Sequence, residues 1–301
     1  ALPIWTLSAV NTYFGGTTIS AGTLKVGNSF ALGTGAKTVN SGAVLDMNGI
    51  SMAASGGLTL NGTGISNGGA LINSSATAAS FGGIVTLGSD TLITGGTGKI
   101  TLGSALANTI TGAHALTLDG AAGGTISSAL GTSTGTLTKQ GTGTWTLTGA
   151  NTYSGTTTIS AGTLQFGNGT VTTTTMGTGP IVDNATLQFN AASNQAFAPN
   201  TISGTGGLVV SGATAGSGTV TLRADNTFGG GVTINSGPRV IAGGSSSGNP
   251  GALTSGPLGT GTLTMAANSQ FDLAGYQIGN TLKSTGTSSS AAVIYANASA
   301  G

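Results

Sequence analysis

The chain has 301 residues, of which 57 are Gly, none is Cys and only 4% are charged, with six acidic residues that are all Asp. Such a composition lacks the Glu, Lys and Arg on which helices depend, and a hydropathy of +0.28 with a net charge of +1 excludes an intrinsically disordered chain. Seven scattered Lys and Arg are too few to displace counterions from a nucleic acid. There is also no run of 18 apolar residues, so no transmembrane segment is expected.

Taken in order, the chain opens on Ala-Leu-Pro-Ile without an initiating Met, which suits a processed product or an excised fragment. From Trp5 it reads WTLSAVNTYFGGTTISAGTLKVGNS, followed by Leu32-Gly-Thr-Gly and an apolar VLDM from Val44. Short alternating runs come next: Leu58-Thr-Leu, Ile84-Val-Thr-Leu, Thr91-Leu-Ile, Lys99-Ile-Thr-Leu and Ala115-Leu-Thr-Leu. Alternation with period two, punctuated by Gly, Asn and Ser, predicts short half-buried strands. The passage Leu137 to Gly169, LTKQGTGTWTLTGANTYSGTTTISAGTLQFGNG, then repeats the opening. It is followed by Met176-Gly-Thr-Gly and LQFN from Leu187. A third, looser copy begins at Val220 and is followed by Leu258-Gly-Thr-Gly and FDLA from Phe271.

In these copies Trp5 and Trp145 correspond, as do Asn11, Asn151 and Asn226, and Tyr13, Tyr153 and Phe228. Recurrence of one strand-and-turn unit predicts stacked coils that bury a continuous core, whereas a sandwich does not require its loops to recur in kind. The predicted fold class is therefore all-β, a parallel β-helix or β-solenoid. At roughly 20 to 25 residues per coil it makes about 12 to 15 short coils. Residues 1–283 read as one continuous solenoid with repeat copies near 5–28, 137–169 and 220–243. Residues 284–301 read as a Gly/Ser/Thr-rich connector and an apolar C-terminal strand, Ala291, Ala292, Val293, Ile294, Tyr295 and Ala296. Inward Leu7, Ile19, Leu24, Leu147, Ile159 and Leu164 are expected to stack between coils. Gly is expected to supply the positive φ of corners, and the Asn-Thr-Tyr element to be structural.

TWTLTGANTYSGTTTISAGTLQFGNG resembles the autotransporter-associated β-strand repeat of bacterial surface and adhesin passenger regions. The resemblance implies a right-handed β-helix, secreted or exposed at the surface of a bacterium outside the outer membrane, serving as a stalk, spacer or adhesin. The family carries no common catalytic residues.

Chemistry is sparse. Gly244-Ser-Ser-Ser-Gly248 fits G-x-S-x-G but is followed by Asn249-Pro250 instead of a helix. The single His114, the Gly98-Lys99 pair and the dispersed Asp residues form no catalytic, phosphate-binding or metal-binding pattern. Neither an enzyme nor a cofactor is expected. Arg223 with Asp225 is the nearest approach to a polysaccharide-cleaving pair and reads more simply as an exposed ion pair. The recurring aromatics read as packing, with a sugar-stacking row as the functional alternative. Rows of Thr such as Thr144 to Thr148 and Thr219-Val-Thr221 leave ice or glycan binding as a second class. Asn61, Asn73, Asn168, Asn184 and Asn297 open N-glycosylation sequons that read as chance in a chain rich in Asn and Thr. Neither end carries a polar cap. The chain is thus either cut from a longer rod or stacks head to tail on itself through residues 291–296; host or matrix glycans are the other partners considered.

Overall fold

The computed structural model describes residues 2–52, 55–103, 109–212, 218–223, 225–285 and 292–295. The chain is all-β and forms two compact units, Ala1–Thr156 and Thr157–Gly301. Both are parallel β-solenoids, with about 13 turns between them. The single helical element among the described residues is a short 3₁₀ turn, Ile65–Asn67.

In the first unit the strands stack in three columns. One column stacks Ile4–Leu7, Gly22–Val26, Ala43–Asp46, Leu71–Ile72, Val85–Thr94, Leu116–Asp119 and Leu137–Lys139. A second stacks Thr17–Ile19, Lys37–Val39, Leu58–Gly62, Val85–Thr94, Thr109–Thr111 and Ala129–Gly131. Val85–Thr94 belongs to both because its register shifts between Leu87 and Thr91, which carries one strand around a corner. The third column stacks Ser51–Met52, Ala79–Phe81, Ile100–Leu102, Gly124–Ile126 and Thr144–Leu147.

The second unit follows the same plan. Thr157–Ile159, Ile181–Asp183 and Ile202–Ser203 form one column. Thr163–Phe166, Thr186–Ala191, Gly207–Gly212, Val232–Ile234, Leu263–Met265 and Leu282–Ser284 form another. Ala196–Phe197, Thr219–Arg223, Arg239–Gly243, Gln270–Asp272 and Val293–Tyr295 form the third. An antiparallel hairpin of Ser247–Asn249 and Ala252–Ser255 projects between two coils.

Because a strand's side chains alternate between faces, in-register stacking produces inward columns of like residues. Leu45, Leu71, Ile93 and Leu118 pair in succession and are fully buried. In the second unit Phe166, Phe189, Val210, Ile234 and Met265 do the same. The Phe166 and Phe189 rings lie 6.0 Å apart, and Phe189 and Phe197 5.1 Å apart. Each such side chain contributes about 1.5–3 kcal/mol through burial. Of the inward residues expected from sequence, Ile19, Leu147, Ile159 and Leu164 are buried. Leu7 and Leu24 are only partly so.

Candidate functional site

The repeat is read most directly at its asparagines. In the third copy Asn226 is fully buried. Its Oδ1 accepts the backbone N–H of Ile202 at 2.8 Å, 24 residues upstream. Thr227 N–H in turn donates to the Ile202 carbonyl at 2.9 Å. In the second copy the arrangement recurs: Leu130 N–H donates to Asn151 Oδ1 at 3.0 Å, 21 residues upstream, and Thr152 N–H to the Leu130 carbonyl at 3.0 Å. The Asn side chain and the following N–H together hold both polar groups of one residue in the coil below, as a paired strand would.

Two of the repeat asparagines, Asn226 and Asn11, also bond through Nδ2. Asn226 Nδ2 donates to the carbonyls of Arg223 at 2.9 Å and Pro257 at 3.1 Å, and Asn11 Nδ2 donates to the Ala31 carbonyl at 2.7 Å. Ala31 and Pro257 directly precede the Leu-Gly-Thr-Gly elements. Those elements sit over the aromatic of the Asn-Thr-Tyr motif: Thr34 N–H donates to the Tyr13 carbonyl at 3.1 Å, and Thr260 N–H to the Phe228 carbonyl at 2.9 Å. Gly33, at φ 61°, shows why no side chain fits there. A Cβ at that position would lie 2.5 Å from the Tyr13 carbonyl oxygen and 2.7 Å from its ring. The two recurring sequence elements are therefore the two halves of one stacking joint.

The aromatics follow the same logic. Trp145 is fully buried, lies over Gly124 of the coil below, and donates its Nε1 to the Asp119 carbonyl at 2.9 Å. Tyr153 and Phe228 are buried as well, so these three rings face no sugar. Trp5 differs from its counterpart Trp145: it is 70% exposed, its strand Ile4–Leu7 pairing among the described residues with Gly22–Val26 alone, and Tyr13 is exposed as well. Of the expected C-terminal strand, Val293–Tyr295 pairs in parallel with Gln270–Asp272 of its own chain, and Arg239 lies over the Tyr295 ring at 5.0 Å. Ala292 precedes this strand, while Ala291 and Ala296 fall outside the described residues.

The remaining candidates lie apart from one another. His114 Nδ1 is 3.8 Å from Asp90, with both side chains substantially exposed. Arg223 Nε is 3.4 Å from Asp225, with each more than half exposed. Among the described residues no group of three His, Asp or Glu side chains is close enough to share a metal ion, and no helix is long and apolar enough to cross a membrane. Ser247 and Gly248, in the G-x-S-x-G match, lie on the exposed hairpin. Asn73, one of the sequon residues, is fully buried and bonded to Gly49, Thr77 and Lys99; Asn297 lies outside the described residues. Thr219 and Thr221 stack on Arg239 and Ile241, so that Thr pair does not continue. A longer outward row, Thr18, Thr38, Thr59, Thr86 and Thr111, does continue from coil to coil.

Five buried ionisable residues among those described, Lys37, Asp46, Lys139, Asp183 and Asp272, escaped the sequence reading, because nothing local distinguishes them. Lys139 continues the aliphatic row from Leu118 and is fully buried. Burial pulls its pKa down to about 8 against the opposing attraction of Asp119, and its Nζ donates to the carbonyls of Gln140 and Gly141. Burial pushes Asp183 up to about 6, although the backbone N–H groups of Ala185 and Leu187 favour its charged form. Its Oδ2 has no hydrogen-bond partner among the described residues. Lys37 is also lowered by burial and donates to the Ser55 carbonyl.

This geometry defines the protein as a parallel β-solenoid whose repeats are stacking joints. The model of the passenger-associated-transport-repeat matches residues 4–26, 137–166 and 214–237, about a quarter of the chain and the same three passages. The chain therefore carries the autotransporter-type passenger repeat, and repeat and fold together fit an autotransporter passenger domain and a surface or secreted location. No curated protein and no solved structure matches it.

Proposed function

We propose that this protein is a non-enzymatic structural module, a β-helical rod that serves as a stalk or fibre segment on the bacterial surface, outside the outer membrane, and extends by stacking coil on coil. The observation that carries this reading is that the recurring residues are spent on joints between coils. Asn151 and Asn226 hold the coil below, Trp145, Tyr153 and Phe228 are buried, and Gly33 and Gly259 close over the aromatics. A binding or catalytic repeat would instead present its recurring side chains to solvent. Small-angle scattering of the purified chain tests it. The expected particle is elongated, about 60–70 Å per copy at ~4.8 Å per coil; a compact particle overturns the reading.

The row Thr18, Thr38, Thr59, Thr86 and Thr111 supports a second reading, in which regularly spaced hydroxyls bind ice or a glycan. Thermal hysteresis or a glycan-array signal that is lost in Thr38→Val and Thr59→Val supports it, and the absence of both signals removes it.

A further inference from the structure

The third copy of the repeat departs from the other two at a pair of positions just before its asparagine. Where the first copy has Ser8 and Val10 and the second Thr148 and Ala150, the third has Arg223 and Asp225. In a chain with seven basic and six acidic residues, two charges so close together are a local departure. The stacking joint does not require them, since Asn151 holds Leu130 with Thr148 and Ala150 in their place. Both charged side chains are more than half exposed, and Arg223 Nε meets Asp225 Oδ1 at 3.4 Å, the long end of a hydrogen bond. Among the described residues neither side chain makes another bond.

The pair lies in a groove. Three adjoining cavities of about 330, 350 and 460 Å³ follow Ala198–Asn200. The first two share Thr178 and Asn200, the first and third share Ala198, and the second and third share Arg223. Each is of the size that holds a small ligand. Small residues keep the groove open beside the pair. Arg223 is in register with Gly243, where a Cβ would lie 2.6 Å from the Leu222 carbonyl oxygen, and Ala198 lines the other side. Asn200 Nδ2 donates to the carbonyls of Thr178 and Gly179 and so fixes the loop that forms one wall.

The chemistry of the lining selects a ligand class. A guanidinium only donates and an ionised carboxylate only accepts, whereas a sugar hydroxyl does both, so Arg223 and Asp225 together match two neighbouring hydroxyls. Thr178, Thr201 and Thr221 add hydroxyl groups, and exposed Ala198 adds apolar surface for the C–H face of a sugar ring. The pair carries no net charge, and an anion brought to Arg223 would also stand beside Asp225, at a cost that a neutral ligand avoids. Asp225 is the only carboxylate among the described residues of the lining, whereas glycoside hydrolysis ordinarily uses two.

We propose that this groove binds a neutral polysaccharide without cleaving it. Arg223 and Asp225 hold neighbouring hydroxyls of one sugar, whose ring lies against Ala198. The site goes beyond the structural-rod reading and does not rest on it, because it uses none of the side chains that form the stacking joints.

Arg223→Thr combined with Asp225→Ala gives the third copy the residues of the second, and this double variant is expected to melt like wild type because an exposed ion pair contributes little. Ala198→Phe fills the groove and leaves the pair in place. The labelled chain is applied to an array of neutral hexose and N-acetylhexosamine oligosaccharides that also carries oligogalacturonates. Wild type is expected to bind neutral glycans, and the double variant and Ala198→Phe are each expected to weaken that binding about tenfold or more. Thr38→Val with Thr59→Val, on the outward Thr row of the other unit, is expected to leave it unchanged. Binding that both groove variants retain, or that the Thr variant loses, overturns the proposal. So does binding confined to oligogalacturonates, or no binding to any neutral glycan. An elongated particle in scattering upholds the rod whichever of these results is found.

Discussion

Asn226 Oδ1 lies 2.8 Å from the backbone nitrogen of Ile202, which belongs to the coil below. With Thr227 N–H on the Ile202 carbonyl, the pair reproduces strand pairing at a corner where no strand continues. Asn226→Ala leaves one buried N–H and two carbonyls unpaired and is expected to cost about 1–3 kcal/mol per group left without a partner. Urea titration measures this loss, and a midpoint equal to that of wild type would contradict the joint.

Gly259, at φ 64°, lies over Phe228, whose ring Cγ would be 3.0 Å from an added Cβ and whose carbonyl oxygen would be nearer still. Gly42, at φ 81°, has nothing within 4 Å of the same atom. Gly42→Ala is therefore expected to cost only backbone strain, about 1–2 kcal/mol. Gly259→Ala adds a steric conflict between coils and should cost more, about 1–3 kcal/mol beyond that strain. Equal losses in thermal melts of the two variants would show that the coils do not approach so closely.

Asp183 gives stability a pH dependence of definite sign. Its pKa rises from 3.8 to about 6 on folding, so the folded state holds its proton where the unfolded state has lost it. The contribution to stability is largest below about pH 4, declines as pH rises to about 6, and is constant above. Asp183→Asn should stabilise the protein at pH 7 and remove this slope, as read from denaturation midpoints between pH 4 and 7. A slope that survives the substitution assigns the effect elsewhere.

Lys139 acts at the alkaline end. Its pKa falls from 10.5 to about 8, so the unfolded state binds its proton more tightly, and stability should increase as pH rises from about 8 to 10.5. Lys139→Met continues the apolar row of Leu45, Leu71, Ile93 and Leu118. It is expected to raise the melting temperature at pH 7 more than at pH 10. The opposite order would mean that the ammonium is stabilised by its neighbours on balance.

Much of this protein was determined by the sequence alone, because it depends on local chemistry. Period-two alternation at Leu58-Thr-Leu or Trp145-Thr-Leu makes strands, Gly33 and Gly259 permit left-handed corners, and the recurrence of Asn-Thr-Tyr and Leu-Gly-Thr-Gly makes coils. Which residue lies on which was decided only by the tertiary structure. Asn151 holds a residue 21 positions back and Asn226 one 24 back, and a hairpin separates Val240 from the Phe271 stacked on it. Parallel pairing is non-local, so its register is set by matching of inward columns, and a backbone N–H such as that of Ile202 leaves no mark in the sequence. The same holds for Lys139 and Asp183, whose types predict solvent and whose positions in an inward register bury them. The difference between Trp5 and Trp145 makes the point at a single residue type: the motif is the same, yet Trp145 stacks on Gly124 in the third column and is core, whereas Trp5 pairs with Leu24 in the first column and is surface.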